Sequence, residues 1–188
     1  MKRISVFGSS RPKPGTPEYQ LAYDLGQLIA RAGFVLCNGG YYGTMEAGAK
    51  GAKDAGGKTI GIVTEEFGIK ANAYIVEKIV THTFVDRLWK LVELGDAYIV
   101  LKGSTGTLLE LAAVWEFANK GITPEKPIIV IGTFWKPVLE TLRDERMHEG
   151  LGSAADYVSV ASTPQECIAL LENKLTIMQG KATTHANT

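Results

Sequence analysis

The feature that most constrains this chain is a regular alternation between short apolar runs and longer helical patterns. The runs are rich in β-branched residues, which favour strands, and the stretches between them place apolar residues every three or four positions. The predicted strands cover residues 3–8, 34–40, 58–64, 74–82, 96–101, 126–132 and 157–162. The predicted helices cover residues 16–33, 44–56, 84–95, 107–121, 135–147 and 163–175. This alternation predicts a Rossmann-like, doubly wound α/β fold, in which a parallel sheet carries helices on both faces.

One domain is expected from this pattern. The chain has 188 residues, which is long enough to bury a sizeable core, and no linker or low-complexity stretch interrupts the alternation. We therefore predict a single domain over residues 1–178. Residues 179–188 are small and polar, so the sequence predicts a disordered tail there.

Charge and cysteine content exclude several classes of protein. Twenty basic residues balance twenty acidic ones, so binding to nucleic acid through general electrostatic attraction is disfavoured. No apolar run approaches the length of a membrane span, and the first apolar run is too short for a signal peptide. Cys37 and Cys167 fit no metal-ligand spacing, and we expect two reduced thiols in a cytoplasmic protein that binds no metal.

Three glycine-rich loops follow predicted strands at one edge of the sheet: GSS (8–10), NGGYYGT (38–44) and KGSTGT (102–107). Ligands of open parallel sheets bind at this edge, where strands end and helices begin. Glycine lets a ligand approach the backbone, and the free amides at a helix N-terminus attract anions such as phosphate. The residues predicted to bind a phosphate or nucleotide are Gly8, Ser9, Ser10, Gly39, Gly40, Gly43, Thr44, Gly103, Ser104, Thr105, Gly106 and Thr107.

The loops match neither of two common nucleotide-binding motifs. No G-x-G-x-x-G follows the first strand, and no G-x-x-x-x-G-K-S/T occurs, so a mononucleotide or another small phosphate ester fits better than NAD or ATP. Glycines also occur at strand-to-helix turns for steric reasons alone, and a single such loop leaves that alternative open. Two loops of the form G-x-x-G-T favour a ligand site.

The stretch GSTGTLLE (103–110) is similar to the P-G-G-x-G-T-x-x-E motif of the LOG ("Lonely guy") family. Members of that family carry an arginine on the preceding helix. Arg87 lies at the family's separation from Glu110 (110 − 87 = 23), and VFGSS and NGGYYGTMEAGAKGA resemble the other two glycine loops in the same order. The resemblance extends from about residue 3 to about residue 135. Three residues depart from the family pattern: Lys102 replaces proline, Ser104 replaces glycine, and Leu88 replaces the lysine after the arginine.

LOG proteins are cytokinin riboside 5′-monophosphate phosphoribohydrolases, so the resemblance implies cleavage of the N-glycosidic bond of an AMP-like nucleoside monophosphate. It implies that Glu110 and Arg87 are the catalytic residues, without a cofactor. Glu110 would orient the ribose or the water and stabilise an oxocarbenium-like transition state. Arg87 would pair with Glu110 or with the phosphate.

The residues alone leave other interpretations open. A glutamate in the first turn of a helix complements the helix dipole, and an arginine near Asp86 and Lys90 is typical of a solvated helix face. Tyr41 and Tyr42 fit either base stacking or the filling of a crevice, and Glu46 is a weaker candidate for a second carboxylate. The resemblance also implies a homodimer, and related branches include a carrier that binds the molybdenum cofactor without catalysis.

Overall fold

The computed structural model describes residues 1–150 and 157–185. Its centre is a seven-stranded sheet in the order β4-β3-β2-β1-β5-β6-β7, and every adjacent pair of strands is parallel. The strands are β1 Arg3–Phe7, β2 Val35–Asn38, β3 Thr59–Thr64, β4 Glu77–Thr81, β5 Ala97–Val100, β6 Ile128–Ile131 and β7 Val158–Ala161. The predicted doubly wound α/β fold is therefore confirmed.

Within residues 1–150 and 157–185, six α-helices cover the two faces of the sheet. They are α1 Pro17–Arg31, α2 Thr44–Asp54, α3 Phe84–Leu94, α4 Thr105–Asn119, α5 Lys136–His148 and α6 Pro164–His185. One apolar core joins the sheet to α1, α2 and α6, and a second core joins the opposite face to α3, α4 and α5. None of the helices in the described ranges is long and apolar enough to cross a membrane.

Local signals in the sequence fix where two of these helices begin. The Thr16 hydroxyl accepts a hydrogen bond from the Tyr19 amide and caps α1, as the Thr-Pro pair at residues 16–17 predicts. Thr83 and Asp86 form a reciprocal capping box at the start of α3. These caps use the amides that a helix otherwise leaves free at its N-terminus.

The C-terminal helix is longer than the sequence pattern indicates. It continues to His185, into the segment 179–188 for which we predicted a disordered tail, and residues 186–188 lie outside the described residues. Each residue that extends an existing helix gains one backbone hydrogen bond without a new nucleation cost, so a helix can continue beyond its last contact with the core.

The order in which strands are added to the sheet changes direction at β1: β2, β3 and β4 lie on one side of it, and β5, β6 and β7 lie on the other. The chain leaves β1 for α1 on one face of the sheet, and it leaves the neighbouring strand β5 for α4 on the other face. In a doubly wound sheet, such a divergence opens a crevice beyond the carboxyl ends of the two strands. The first and third glycine-rich loops follow these two strands.

Candidate functional site

A cleft of about 600 Å³, called the main cleft below, lies at the carboxyl ends of the central strands. Its polar wall consists of Gly8, Ser9, Ser10, Arg11, Arg87, Ser104, Gly106, Thr107 and Glu110. Its apolar wall consists of Tyr41, Tyr42, Met45, Phe67, Ile69 and Phe84. The structure therefore brings the first and third glycine loops, Arg87 and Glu110 into one space.

Arg87 enters the main cleft from α3 and is almost completely buried, with 5% of its surface exposed. Its Nε donates a hydrogen bond to the Ile62 carbonyl at 2.8 Å, and its guanidinium carbon lies 5.2 Å from the centre of the Tyr41 ring. A Cβ on Gly39 would overlap the guanidinium, so glycine at this position makes room for the arginine. The alternative of a solvated surface arginine is therefore wrong.

Glu110 lies on the same wall of the cleft, one turn into α4. Burial raises the pKa of its carboxyl to about 7, although the nearby Arg87 guanidinium lowers it. In the described part of the chain no ion pair joins the two side chains, so Arg87 acts on Glu110 through the electrostatic field rather than by direct contact. A carboxyl group with a pKa near 7 is able to gain or lose a proton at physiological pH.

The N-terminus of α4 offers free amides to the main cleft. Among the described residues, no side chain caps this terminus, and its first turn contains no acidic residue. Ser104, Gly106 and Thr107 line the cleft at this point, and the Thr107 hydroxyl has no hydrogen-bond partner in the described ranges. An uncapped helix N-terminus with an unused hydroxyl suits an anion such as phosphate.

The glycines and the threonine of the second glycine loop do not line the main cleft, although we expected them to bind the ligand. Thr44 donates its amide and its hydroxyl to the Ser9 carbonyl, at 2.9 and 3.0 Å, so this hydroxyl is already used within the protein. Gly43 has φ 68°, and a side chain there would overlap the Ser9–Ser10 backbone. This loop fastens the first glycine loop in place and makes room for Arg87.

Several predicted ligand-binding residues therefore lie outside the lining of the main cleft in the described structure: Gly39, Gly40, Gly43, Thr44, Gly103 and Thr105. Glu46, the weaker candidate for a second carboxylate, lies on α2 and acts electrostatically on Tyr19 of α1. Its helix packs on the opposite face of the sheet from α3 and α4, which separates it from Glu110.

The two adjacent tyrosines of the apolar wall differ in their exposure to solvent. Tyr41 is buried, and its hydroxyl accepts a hydrogen bond from the Thr64 amide at 2.9 Å. Tyr42 is 52% exposed and faces the cleft, where its ring is free to stack on a ligand. Sequence reasoning missed Phe67 and Phe84, whose rings lie 5.7 Å apart. Their position just beyond the carboxyl ends of β3 and β4 is the only signal of their role in the sequence.

Comparison with known proteins places this chain in a family. The model of the SLOG cluster4 family matches residues 1–168. The chain belongs to the SLOG cluster4 family. A cytokinin riboside 5′-monophosphate phosphoribohydrolase from Rhodococcoides fascians is 33% identical over 144 residues, which cover 73% of this chain and 72% of that protein. The resemblance to LOG proteins is thus confirmed.

Solved structures of similar proteins extend the comparison of this SLOG cluster4 protein. The molybdenum cofactor binding protein from Rippkaea orientalis superposes with a TM-score of 0.72 and 31% identity, over 93% of this chain and 97% of that chain. The molybdenum cofactor carrier protein from Chlamydomonas reinhardtii superposes with a TM-score of 0.70 and 26% identity, over 93% of this chain and 98% of that chain.

The structure describes the surroundings of two of the three departures of this SLOG cluster4 protein from the LOG pattern. Lys102 turns away from the main cleft, and its Nζ lies 3.1 Å from Glu18 Oε1 on α1. Ser104 has φ −103°, which any residue adopts without strain, so glycine is not required there. The backbone at Ser104 therefore does not need the family's second glycine.

Proposed function

We propose that this protein hydrolyses the N-glycosidic bond of a nucleoside 5′-monophosphate and releases the free base and ribose 5-phosphate. The observation that carries the proposal is the placement of Glu110 and Arg87 beside the uncapped N-terminus of α4, in one cleft. The similarity to the Rhodococcoides phosphoribohydrolase supports the same activity.

In this proposal the phosphate binds at the start of α4. The amides of the first turn donate to its oxygens, and the helix dipole favours its negative charge. The Thr107 hydroxyl and the guanidinium of Arg87 add donors from the wall of the cleft. Binding the phosphate here holds the ribose beside Glu110, which lies further along the same helix.

Glu110 acts on the ribose and the water. When the bond between C1′ and the base breaks, its electron pair leaves with the base and positive charge develops on the sugar. The Glu110 carboxylate stabilises this charge and accepts a proton from the water as the water oxygen bonds to C1′. The departing base takes up a proton from solvent, which completes the hydrolysis.

Tyr42 and Phe67 form the surface for the base. Both rings line the cleft and are about half exposed, at 52% and 42%. An aromatic ring stacks on any planar base, so this wall binds the base without selecting among hydrogen-bonding edges.

The experiment incubates the protein with AMP and separates free adenine by chromatography. Since the ionised carboxylate is the active form, we expect the rate to rise with pH through about 7, the pKa of Glu110. Glu110→Gln should lower the rate by at least about a hundredfold, as removal of an electrostatic stabiliser does. Glu140→Gln, on the exposed surface of α5, is the matched control and should leave the rate unchanged.

A second candidate function is the binding of a phosphorylated cofactor without catalysis. The similarity to the molybdenum cofactor proteins of Rippkaea and Chlamydomonas favours this candidate, because it covers 93% of the chain. The same α4 N-terminus would hold the phosphate of such a cargo. Tight binding of AMP without release of adenine would support this function over hydrolysis.

We also propose that two copies associate through α3 and α4. Trp89 is 44% exposed and makes an edge-to-face contact with Phe117, with ring centres 5.6 Å apart. Val85 and Leu109 are 71% and 43% exposed on the same two helices, which leaves an apolar surface open to solvent. Light scattering after gel filtration should show a dimer that Trp89→Lys dissociates, and a monomeric wild-type protein would contradict this proposal.

A further inference from the structure

A second cavity, of about 460 Å³, opens beside the main cleft and is called the side cavity below. Ser9, Arg11 and Ser104 line both spaces, so the two spaces meet at the loop that precedes α4. A phosphate held at the α4 N-terminus lies at this junction. Because a phosphate has oxygens on several sides, a group attached to one of them can extend into the side cavity.

The side cavity is electropositive. Its lining contains three basic residues, Arg11, Lys13 and Lys102, and one acidic residue, Glu18. The Lys102 and Glu18 side chains form an ion pair but are 57% and 41% exposed. An exposed ion pair contributes little free energy, so Lys102 is able to exchange Glu18 for an anionic ligand group.

A third space, of about 340 Å³, continues from the side cavity and shares Glu18 and Lys102 with it. Its floor is apolar and includes Leu21 and Phe134. The Phe134 ring is 47% exposed and lies 5.9 Å from Lys102 Nζ. An anion at Lys102 would therefore have an exposed aromatic surface next to it, which suits a sugar or a ring.

An independent feature supports a phosphate at the junction. The Thr107 side chain is 4% exposed, lines the main cleft, and leaves its hydroxyl without a partner among the described residues. A hydroxyl that lines the cleft and makes no hydrogen bond within the described residues is free to donate one to a ligand. The junction therefore has a donor in place for a phosphate oxygen.

We propose that this site takes nucleoside diphosphates that carry a further group on the second phosphate, with the nucleoside in the main cleft, the second phosphate in the side cavity and the further group in the third space. The inference rests on the proposed function for the position of the nucleoside and its first phosphate. The second phosphate binds Lys102 and Arg11, and the group beyond it lies on Phe134. A nucleoside monophosphate fills only the main cleft.

The experiment measures the affinities of AMP, ADP and ADP-ribose by calorimetry at one salt concentration. All proteins carry Glu110→Gln so that hydrolysis does not interfere. We expect Lys102→Ala to lower the affinity for ADP and ADP-ribose by about fivefold, which is the effect of one charged contact at an exposed position. The affinity for AMP should stay unchanged. Glu18→Gln frees Lys102 from its ion pair and should raise the affinity for ADP and ADP-ribose, again without changing the affinity for AMP.

A further arm tests the apolar floor. Phe134→Ala should lower the affinity for ADP-ribose and leave the affinity for ADP unchanged, because only ADP-ribose reaches the ring. The proposal is overturned if Lys102→Ala lowers the affinity for all three nucleotides equally or for none of them. It is also overturned if ADP and ADP-ribose do not bind.

The two proposals fail in distinguishable ways. The hydrolase is supported and this inference overturned if the wild-type protein releases adenine from AMP while Lys102→Ala does not change the affinity for ADP. A selective effect of Lys102→Ala without any release of adenine supports the extended ligand and contradicts the hydrolase.

Discussion

Replacement of Glu110 by glutamine tests whether the carboxyl group is held in the desolvated position on which the proposed mechanism depends. Burial raises its pKa from the usual 4.5 to about 7, and Arg87 offsets only part of that effect. Glutamine has nearly the same shape and carries no charge. The substitution therefore removes the cost of burying a carboxylate without leaving a cavity.

The magnitude follows from the two pKa values. Between 4.5 and about 7 the folded protein retains a proton that the unfolded chain has released, so the stability of the wild-type protein falls as pH rises through this window. A difference of about 2.5 pKa units, at about 1.4 kcal/mol per unit, gives about 3.5 kcal/mol. Water at the open side of the cleft screens the charge, so we expect about 2 kcal/mol.

Urea denaturation between pH 4.5 and 8 measures the free energy of unfolding of both proteins. We expect the advantage of Glu110→Gln over the wild type to be near zero at pH 4.5 and to reach about 2 kcal/mol above pH 7. Glu140→Gln, on α5, controls for the loss of one negative charge from the whole protein. A difference between Glu110→Gln and the wild type that stays constant over this range would refute the reasoning, since it would show that folding does not shift the titration of Glu110.

Two further predictions test how the site is built. Gly39→Ala places a methyl group in the space of the Arg87 guanidinium, so we expect a loss of about 1–3 kcal/mol in urea denaturation and weaker binding of AMP, and normal values for both would contradict the packing described. Thr83→Ala removes the capping box of α3 and should cost about 1 kcal/mol in thermal unfolding, whereas an unchanged melting temperature would show that the cap contributes nothing.

Much of the fold was predictable because it depends on patterns that are local in sequence. All seven predicted strands and the first five predicted helices occur within a few residues of their expected bounds, and the sixth helix begins where it was expected. The Thr16 cap and the parallel pairing follow from the same local signals. The prediction differed from the structure at the C-terminus, where α6 continues to His185, because helix extension costs little once a helix exists.

The candidate site was predictable in part. Arg87 and Glu110 stand 23 residues apart in the sequence (110 − 87 = 23), and the resemblance to LOG proteins paired them before the fold was known. The structure adds the deep burial of Arg87 and the raised pKa of Glu110. Both depend on residues distant in the sequence, such as Ile62 and Gly39, whose approach to Arg87 is decided by packing.

The sequence by itself determined the order of strands and helices and the glycine turns at the carboxyl edge of the sheet, since each depends on the periodicity and backbone preferences of neighbouring residues. Only the tertiary structure decided which glycine turns line the main cleft and which one supports them. Thr44 fastens the first loop and Lys102 turns toward α1, because a hydroxyl or an ammonium group binds the partner that packing brings within reach. Those contacts join residues that are 35 and 84 positions apart, and no local pattern specifies them.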